Sequence, residues 1–399
     1  VTEIDEIIRI AARGDGVTAD GRHVPLAAPG DRLNPEGGLI HGPHHVEPVC
    51  RHFPLCGGCQ IQQVDDGALR VFVRDRVVGG LTGQGLEAGE VMPAHLSPPH
   101  SRRRVSLRSA WAGKQFQLGF STEKSHRIID LKQCEVMHPD LFALVEPLRA
   151  FLAPRIDRRR NVSVKLALVD QGVDLVIENW MPEGLEAHEA LTDFARTQGL
   201  ARLSLDDGYG PTTQWEPDPV TVTLGSVAVS YPPFGFLQAT DDGEAALVHA
   251  VRTICGNATI VADLFAGLGT FALSFDAKTK VYAGEADRTA IMALKAAAGR
   301  AQRTLFAEHR DLFRRPLTSV ELDRFSAAVL DPPRAGAREQ VAQLAASKIP
   351  AIAYVSCNPS SFARDAKTLV AGGYRLGRVW PVGQFRWSTH VELAAEFTR

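Results

Sequence analysis

The chain has 399 residues, 45% of them hydrophobic and 23% charged, and a formal net charge of -2. This is the composition of a globular protein with room for two or three domains, and no apolar run is long enough to cross a bilayer. A uniformly basic nucleic-acid binder is excluded, so positive charge that meets a polyanion is concentrated locally, in Arg102–Arg104 with Arg108, Arg155 with Arg158–Arg160, or Arg314–Arg315.

In chain order, residues 1–45 hold short alternating runs broken by turn signals, such as Ile7–Ile10, Gly14-Asp15-Gly16 and Pro29-Gly30-Asp31, and read as a small β module. Val1–Asp5 has neither the basic nor the apolar character of a signal peptide, so a cytoplasmic, membrane-free monomer is the expectation. Residues 46–94 carry the dense cysteines Cys50, Cys56 and Cys59, followed by Cys134, Cys255 and Cys357. In a reducing compartment such thiols point to metal or catalysis rather than to disulfides. Between 95 and 230, the runs 104–108, 161–166 and 173–177 alternate like strands and are interrupted by helical stretches at 139–153 and 184–198, an α+β pattern. From 231 to 399 the rhythm changes. Apolar runs at 259–265, 280–284, 326–330 and 351–356, with an Ala-rich helix at 286–301, predict a mostly parallel, doubly wound sheet. Ligands of such sheets sit at the carboxyl ends of the strands.

Four groups of residues fall at such ends. Asp263-Leu264-Phe265-Ala266-Gly267-Leu268-Gly269 is a glycine-rich turn between strand and helix, and Glu285 closes the next strand, where a carboxylate can accept from ribose hydroxyls. NAD and S-adenosylmethionine both offer that ribose; Asp263 suits the cationic methyl donor better than a pyrophosphate. Asp331-Pro332-Pro333-Arg334 stops a strand with a rigid loop, holding Asp331 at the ligand face. Ser356-Cys357-Asn358-Pro359 places a thiol at the next strand end. A thiol that adds to C6 of uracil turns C5 into a carbon nucleophile, and a base must then remove the C5 proton. Thr389–Leu393 supplies His390 and Glu392, on what reads alone as an alternating, half-exposed strand.

Together, ADLFAGLGTF, LDPPRAG, VSCNP with the following ARD, and THVEL resemble the signatures of the RNA uracil-5-methyltransferases of ribosomal and transfer RNA. HFPLCGGCQIQQ is similar to the mark of the iron-sulfur members. The resemblance implies a C-terminal Rossmann-like class I S-adenosylmethionine methyltransferase domain at 231–399 and a central α+β RNA-binding domain at 95–230. It further implies an iron-sulfur segment at 46–94 and a shortened module at 1–45, similar to the TRAM domain. It implies that Cys357 is the nucleophile, Glu392 the base, and Asp331 the contact to uracil. Gln238, Asp263, Phe265, Gly267, Glu285, Asp311 and Asp331 are implied to hold S-adenosylmethionine, and Cys50, Cys56, Cys59 and Cys134 a [4Fe-4S] cluster. Spacing alone leaves iron-sulfur and zinc equal; the family pattern favours iron. Thr240 and Gln63 stand where many relatives have Asn and His. RNA is the expected partner, 23S rRNA the first expectation for it and the T-loop of tRNA the second. A cytosine-5 methyltransferase lacks support because its nucleophile follows a proline, whereas Asp331-Pro332-Pro333-Arg334 has no cysteine. An NAD oxidoreductase leaves VSCNP and THVEL unexplained, and a non-catalytic iron-sulfur RNA binder leaves Cys357, Glu392 and Asp331 without a purpose.

Overall fold

The structure is a computed structural model that describes residues 5–123, 125 and 127–399. Residues 1–4, where the N-terminal module is expected to begin, lie outside the described residues. The chain divides into two compact units. One comprises the residues up to Val49, Cys59–Ser97 and Asp242–Arg399; the other comprises Cys50–Gly58 and Pro98–Asp241.

In the first unit, nine strands among the described residues form one sheet. They are β1 (Glu90–Val91), β2 (His95–Leu96), β3 (Ile260–Leu264), β4 (Lys280–Glu285), β5 (Leu305–His309), β6 (Ala327–Leu330), β7 (Ala351–Ser356), β8 (Arg375–Gly383) and β9 (Glu392–Thr398). Their order across the sheet is β5-β4-β3-β6-β7-β9-β8-β1, and β2 also pairs with β8. The five strands β3 to β7 run parallel, while β9 is antiparallel to both its neighbours. Every residue of β6 is buried, as are most of β3 and β7. Burial on both faces is why these strands read as continuous apolar runs rather than as alternations. The chain lays β4 and β5 on one side of β3, then crosses to β6 and β7 on the other, so its switch point falls between the carboxyl ends of β3 and β6.

The helices of this unit are α1 (Asp66–Thr82), α2 (Asp241–Cys255), α3 (Arg288–Arg300), α4 (Ser319–Leu322), α5 (Arg338–Ala346) and α6 (Pro359–Ala371). Asp65 caps α1 by accepting the N–H of Ala68 at 2.7 Å, and Leu69, Phe72, Val73, Val77 and Leu81 form its buried stripe. This helix packs on α6 and β8. Gly80 makes the approach possible: a Cβ there would lie 3.0 Å from the carbonyl oxygen of Pro359. The N-terminal module contributes a three-stranded antiparallel sheet (Ile7–Ile10, Gly16–Thr18, His23–Val24) and a two-stranded one (Arg32–Leu33, Leu39–Ile40). The fully buried Asp31 pins it, accepting from the N–H groups of Ala28 and Gly42, each at 2.7 Å.

The second unit holds a six-stranded sheet in the order Thr212–Trp215, Arg202–Asp206, Gly172–Glu178, Ser163–Val169, Arg104–Ala112, Gln115–Gly119. Its one parallel pair, Gly172–Glu178 with Arg202–Asp206, is joined through the helix Leu185–Thr197. Val105, Leu107, Leu118, Leu166, Leu175 and Leu203 pack a core with Leu148 and Leu152 of the helix Val145–Leu152.

Candidate active site

Strand register brings the sequence-predicted residues of the first unit to one edge. Ser356 of β7 is paired with Leu393 of the antiparallel β9, so the next positions outward, Cys357 and Glu392, face each other across the strands. Leu330 of β6 is paired with Leu264 of β3, and the N–H of Asp331 donates to the Leu264 carbonyl at 3.2 Å, which sets Asp331 beside the glycine-rich turn. Leu264 is in turn paired with Gly284, and both Phe265 and Ala266 donate to the Gly284 carbonyl, at 2.9 and 3.1 Å.

The turn after β3 is bent sharply. Phe265 lies at φ 66°, Gly267 at 53° and Gly269 at 95°, and a Cβ on Gly269 would sit 2.4 Å from Leu294 Cδ1. Glu285 braces it, its carboxylate accepting from Gly267 N–H at 2.9 Å and Asp287 N–H at 2.7 Å. Asp311 follows β5, where its carboxylate accepts the N–H groups of Phe313 and Arg314 at 3.0 and 3.2 Å. The rings of Phe265 and Phe313 lie 5.3 Å apart.

Burial governs the protonation of three carboxyls and one thiol at this edge. Asp263 is fully buried, and neither of its oxygens has a hydrogen-bond partner. Burial, then the Asp331 charge, push its pKa up to about 8; the Ala272 amide opposes them but stands in no hydrogen bond to either oxygen. Burial and then the Glu285 charge raise Asp331 to about 7. Glu392, 6% exposed, is pushed to about 8 by burial and then by Asp331, with the Gln384 side chain and Arg334 pulling it back. Burial, then Glu392 and Asp331, raise Cys357 to about 11, and Arg334 is the cation that opposes them. Cys357 also immediately precedes Asn358, the N-cap of α6, so the positive end of a 13-residue helix favours its thiolate.

The loop after β6 is clamped onto α6. Asn358 accepts the N–H of Ser360 at 3.1 Å as N-cap, while its amide donates to the Arg334 carbonyl at 3.0 Å. Ser361 Oγ donates to the same carbonyl at 2.9 Å. Arg364 donates to the Ala335 carbonyl at 2.9 Å, and Asp365 accepts from Ala337 N–H at 2.8 Å and Tyr354 hydroxyl at 2.7 Å. Gly336, at φ 81°, is enclosed: a Cβ would lie 2.5 Å from both Arg364 Nη2 and Asp365 Oδ2. These contacts account for the ARD triplet that follows VSCNP.

The family described as tRNA (Uracil-5-)-methyltransferase matches residues 244–398. An RNA methyltransferase of Zymomonas mobilis is 51% identical over 394 residues, 99% of each chain. The 23S rRNA (uracil(1939)-C(5))-methyltransferase RlmD of Pectobacterium atrosepticum is 30% identical over 375 residues, 90% of this chain and 81% of the relative. The chain belongs to the RNA uracil-5-methyltransferase family. The fold of this methyltransferase agrees. The solved structure of Pyrococcus abyssi tRNA (uracil-54, C5)-methyltransferase with S-adenosyl-L-homocysteine has a TM-score of 0.75 and 23% identity, and covers 99% of each chain. The first unit's sheet is thus that of an S-adenosylmethionine methyltransferase within a multidomain α/β protein. No helix among the described residues is long and apolar enough to cross a membrane.

Two expectations need correction. Residues 389–391 of the methyltransferase are not strand; β9 starts at Glu392. Nor is Glu392, which follows the loop 384–391, an exposed strand residue: it is buried. That loop is fastened by the segment after Cys59: Gln60 and Ile61 donate backbone N–H groups to the Trp387 carbonyl at 2.8 and 3.1 Å, and Arg386 pairs with Asp66 of α1. Gln384, Arg334, Asn358 and Asp365 were not expected in the site.

The remaining predicted residues belong to the second unit or lie beside its boundary. Gln238 is buried there, its carbonyl accepting from Arg103 Nε at 3.0 Å. Cys56 and Cys59 are buried, and Cys50 and Cys134 half-buried. Burial pushes Cys134 to about 11, and the charges of Cys56 and Cys50 add to it, so these three thiols of the second unit are neighbours. The donor chemistry suits a soft metal or cluster. A closed ligand set is not formed, however: among the described residues no group of three or more His, Cys, Asp or Glu could hold a metal ion.

Proposed function

We propose that this methyltransferase methylates C5 of a uridine in structured RNA, with Cys357 as nucleophile, Glu392 as base and Asp331 as the contact to the uracil. The β7–β9 register, which sets Cys357 across from Glu392, carries the reading. The orphaned, fully buried carboxylate of Asp263 fits a cationic cofactor, because a positive group would supply the partner its oxygens lack. S-adenosylmethionine, when bound, supplies the methyl group from a sulfonium that leaves as a neutral thioether. Asp263, Phe265, Gly267, Glu285, Asp311 and Asp331 are the residues proposed to hold it, and Gln238 joins them on the family motif alone.

As its proton leaves to solvent, the Cys357 thiolate is stabilised by Arg334 and the α6 N-terminus. Sγ then bonds to C6, the C5–C6 π pair moves toward O4, and C5 becomes the nucleophile that takes the methyl. Glu392 removes the C5 proton; the released pair restores the C5–C6 double bond as Sγ leaves C6. Its raised pKa suits a base that must accept a carbon-bound proton and release it near neutrality. The uracil is turned out of its stack, because attack at C6 needs an open ring face.

The substrate proposed is 23S rRNA, supported by the 30% identical rRNA enzyme; a tRNA uridine is the second reading, supported by the family description. Mapping every 5-methyluridine by mass spectrometry after deleting the gene tests both. Loss of one site in 23S rRNA supports the first and loss in tRNA the second, while an unchanged map from a strain without a redundant enzyme counts against both. Catalysis is assigned to 231–399 and RNA binding to 95–230, with 1–45 as an accessory module. Cys50, Cys56, Cys59 and Cys134 are proposed to hold a [4Fe-4S] cluster, supported by the family spacing and the three neighbouring thiols. Iron and sulfide in anaerobically purified protein, lost in Cys134→Ser, is the expected result; zinc or no metal would contradict it.

A further inference from the structure

Residues 154–161 join the helix Val145–Leu152 to the strand Ser163–Val169 in the second unit, and carry Arg155, Arg158, Arg159 and Arg160 against a single acid, Asp157. The turn is well ordered by its own bonds. The Asp157 carboxylate accepts the N–H of Arg159 at 2.8 Å and its carbonyl that of Arg160 at 3.0 Å, an Asx turn that directs successive side chains outward. The turn is also stitched to the strand Arg104–Ala112. Ser109 N–H donates to the Val162 carbonyl at 2.8 Å, Val162 N–H donates to Ser109 Oγ at 3.1 Å, and Trp111 Nε1 donates to the Ile156 carbonyl at 3.1 Å.

This stitching sets the arginine-rich turn beside one indole. The Arg158 guanidinium lies 5.4 Å from the half-buried Trp111 ring. Arg108, three residues before Trp111, lies on the opposite, exposed face of that strand, paired in register with Ser163, where the turn ends. Arg155 is different: it donates to the Phe151 carbonyl at 2.8 Å and covers the Phe151 ring, so it serves the fold. Arg108, Arg158, Arg159 and Arg160 are all exposed, and among the described residues none of them is in an ion pair. The nearby acid Glu178, paired in register with Ser163, is already neutralised by Lys165.

We propose that Arg158, Arg159 and Arg160, on the turn beside Trp111, bind the phosphodiester backbone of the RNA substrate. The proposal deepens the function above and takes RNA as its partner from it. A chain of net charge -2 has no general attraction for a polyanion, so a concentrated, uncommitted basic surface is where such attraction must reside. Arginine forks match phosphate bidentately.

The test measures binding of poly(U) by fluorescence anisotropy between about 50 and about 200 mM salt, without turnover. Each phosphate contact on a single strand contributes about 0.7 to the slope of log K against log salt, so replacing Arg158, Arg159 and Arg160 together by Gln should lower the slope by about 2. Affinity at low salt should fall by roughly tenfold or more, and the triple Lys variant should keep most of the slope, since charge remains. With an rRNA transcript, the Gln triple variant should raise KM for RNA far more than it lowers kcat. An unchanged slope and affinity in the Gln triple variant overturns the proposal, even if uridine methylation is normal. Because poly(U) binding needs no methyl transfer, failure of the catalytic reading leaves this result separately interpretable.

Discussion

Replacing Asp263 with Asn should trade cofactor binding for stability in alkaline solution. Asp263 is fully buried without a hydrogen-bond partner, and its folded-state pKa is raised from 3.8 to about 8 by burial and by Asp331. A carboxyl raised in this way holds its proton more tightly when the chain is folded. Its contribution to stability is therefore complete below about pH 4 and is lost as pH climbs towards about 8. Over that window the folded chain carries about one extra proton, so stability falls by about 1.4 kcal/mol per pH unit through this group. Between about pH 6 and about pH 8 this amounts to about 2 kcal/mol, allowing for partial ionisation near the top. The Asn variant cannot ionise, and any penalty it carries is the same at both pH values. Urea unfolding of both proteins at the two pH values should show the wild type losing about 2 kcal/mol more than the variant across the interval. Calorimetric titration should show the variant binding S-adenosylmethionine more weakly. Equal pH dependence in the two proteins would refute the buried, unpartnered carboxylate; unchanged cofactor affinity would refute its role as the counter-charge.

Further perturbations address the rest of the site. Cys357→Ala should abolish methyl transfer while leaving S-adenosylmethionine affinity nearly intact by calorimetry, whereas Glu392→Gln should accumulate a protein–RNA adduct visible on a denaturing gel, because the C5 proton cannot leave. Arg334 holds both the Cys357 thiol and Glu392 below where burial alone would put them. Glu392 must be ionised to act, so activity rises with pH, and Arg334→Gln should move the rising limb of the kcat/KM profile to higher pH; an unmoved limb would remove Arg334 from the electrostatics of the site. Gly336→Ala forces a Cβ to 2.5 Å from Arg364 and Asp365 at positive φ. It should destabilise the protein by about 1–3 kcal/mol, seen as a lower melting temperature with a matching fall in kcat.

The catalytic sheet was legible because parallel, doubly buried strands leave uninterrupted apolar runs, and the runs at 280–284 and 351–356 became β4 and β7. The residues just after those runs, Asp331 and Cys357 among them, stand at the carboxyl edge of the sheet, where such folds place their ligands. The edge strand Leu305–His309 was missed because its burial is only partial, and it has no continuous apolar run. Helix α1 was not anticipated; it carries three glycines, Gly67, Gly79 and Gly80, of which Gly80 serves close packing against Pro359. The approach of Cys357 to Glu392 depends on an antiparallel strand inserted between two chain-distant neighbours, a register that no local pattern encodes. The same holds for the loop before Glu392, which Gln60, Ile61 and Asp66 fasten from far along the chain. The roles of Asn358 and Asp365 as clamps emerge only when the loop after β6 is seen against α6.

The most direct test of thiol addition followed by proton removal uses an RNA transcript carrying 5-fluorouridine at the methylated position, incubated with the protein and S-adenosylmethionine. Fluorine at C5 cannot be removed as a proton, so the reaction should stop after methyl transfer, with the nucleotide joined covalently through C6 to Cys357. Peptide mass spectrometry should find the methylated fluorouridine on the peptide containing Cys357. An adduct on another residue, or none at all while unmodified RNA is methylated normally, would contradict the account.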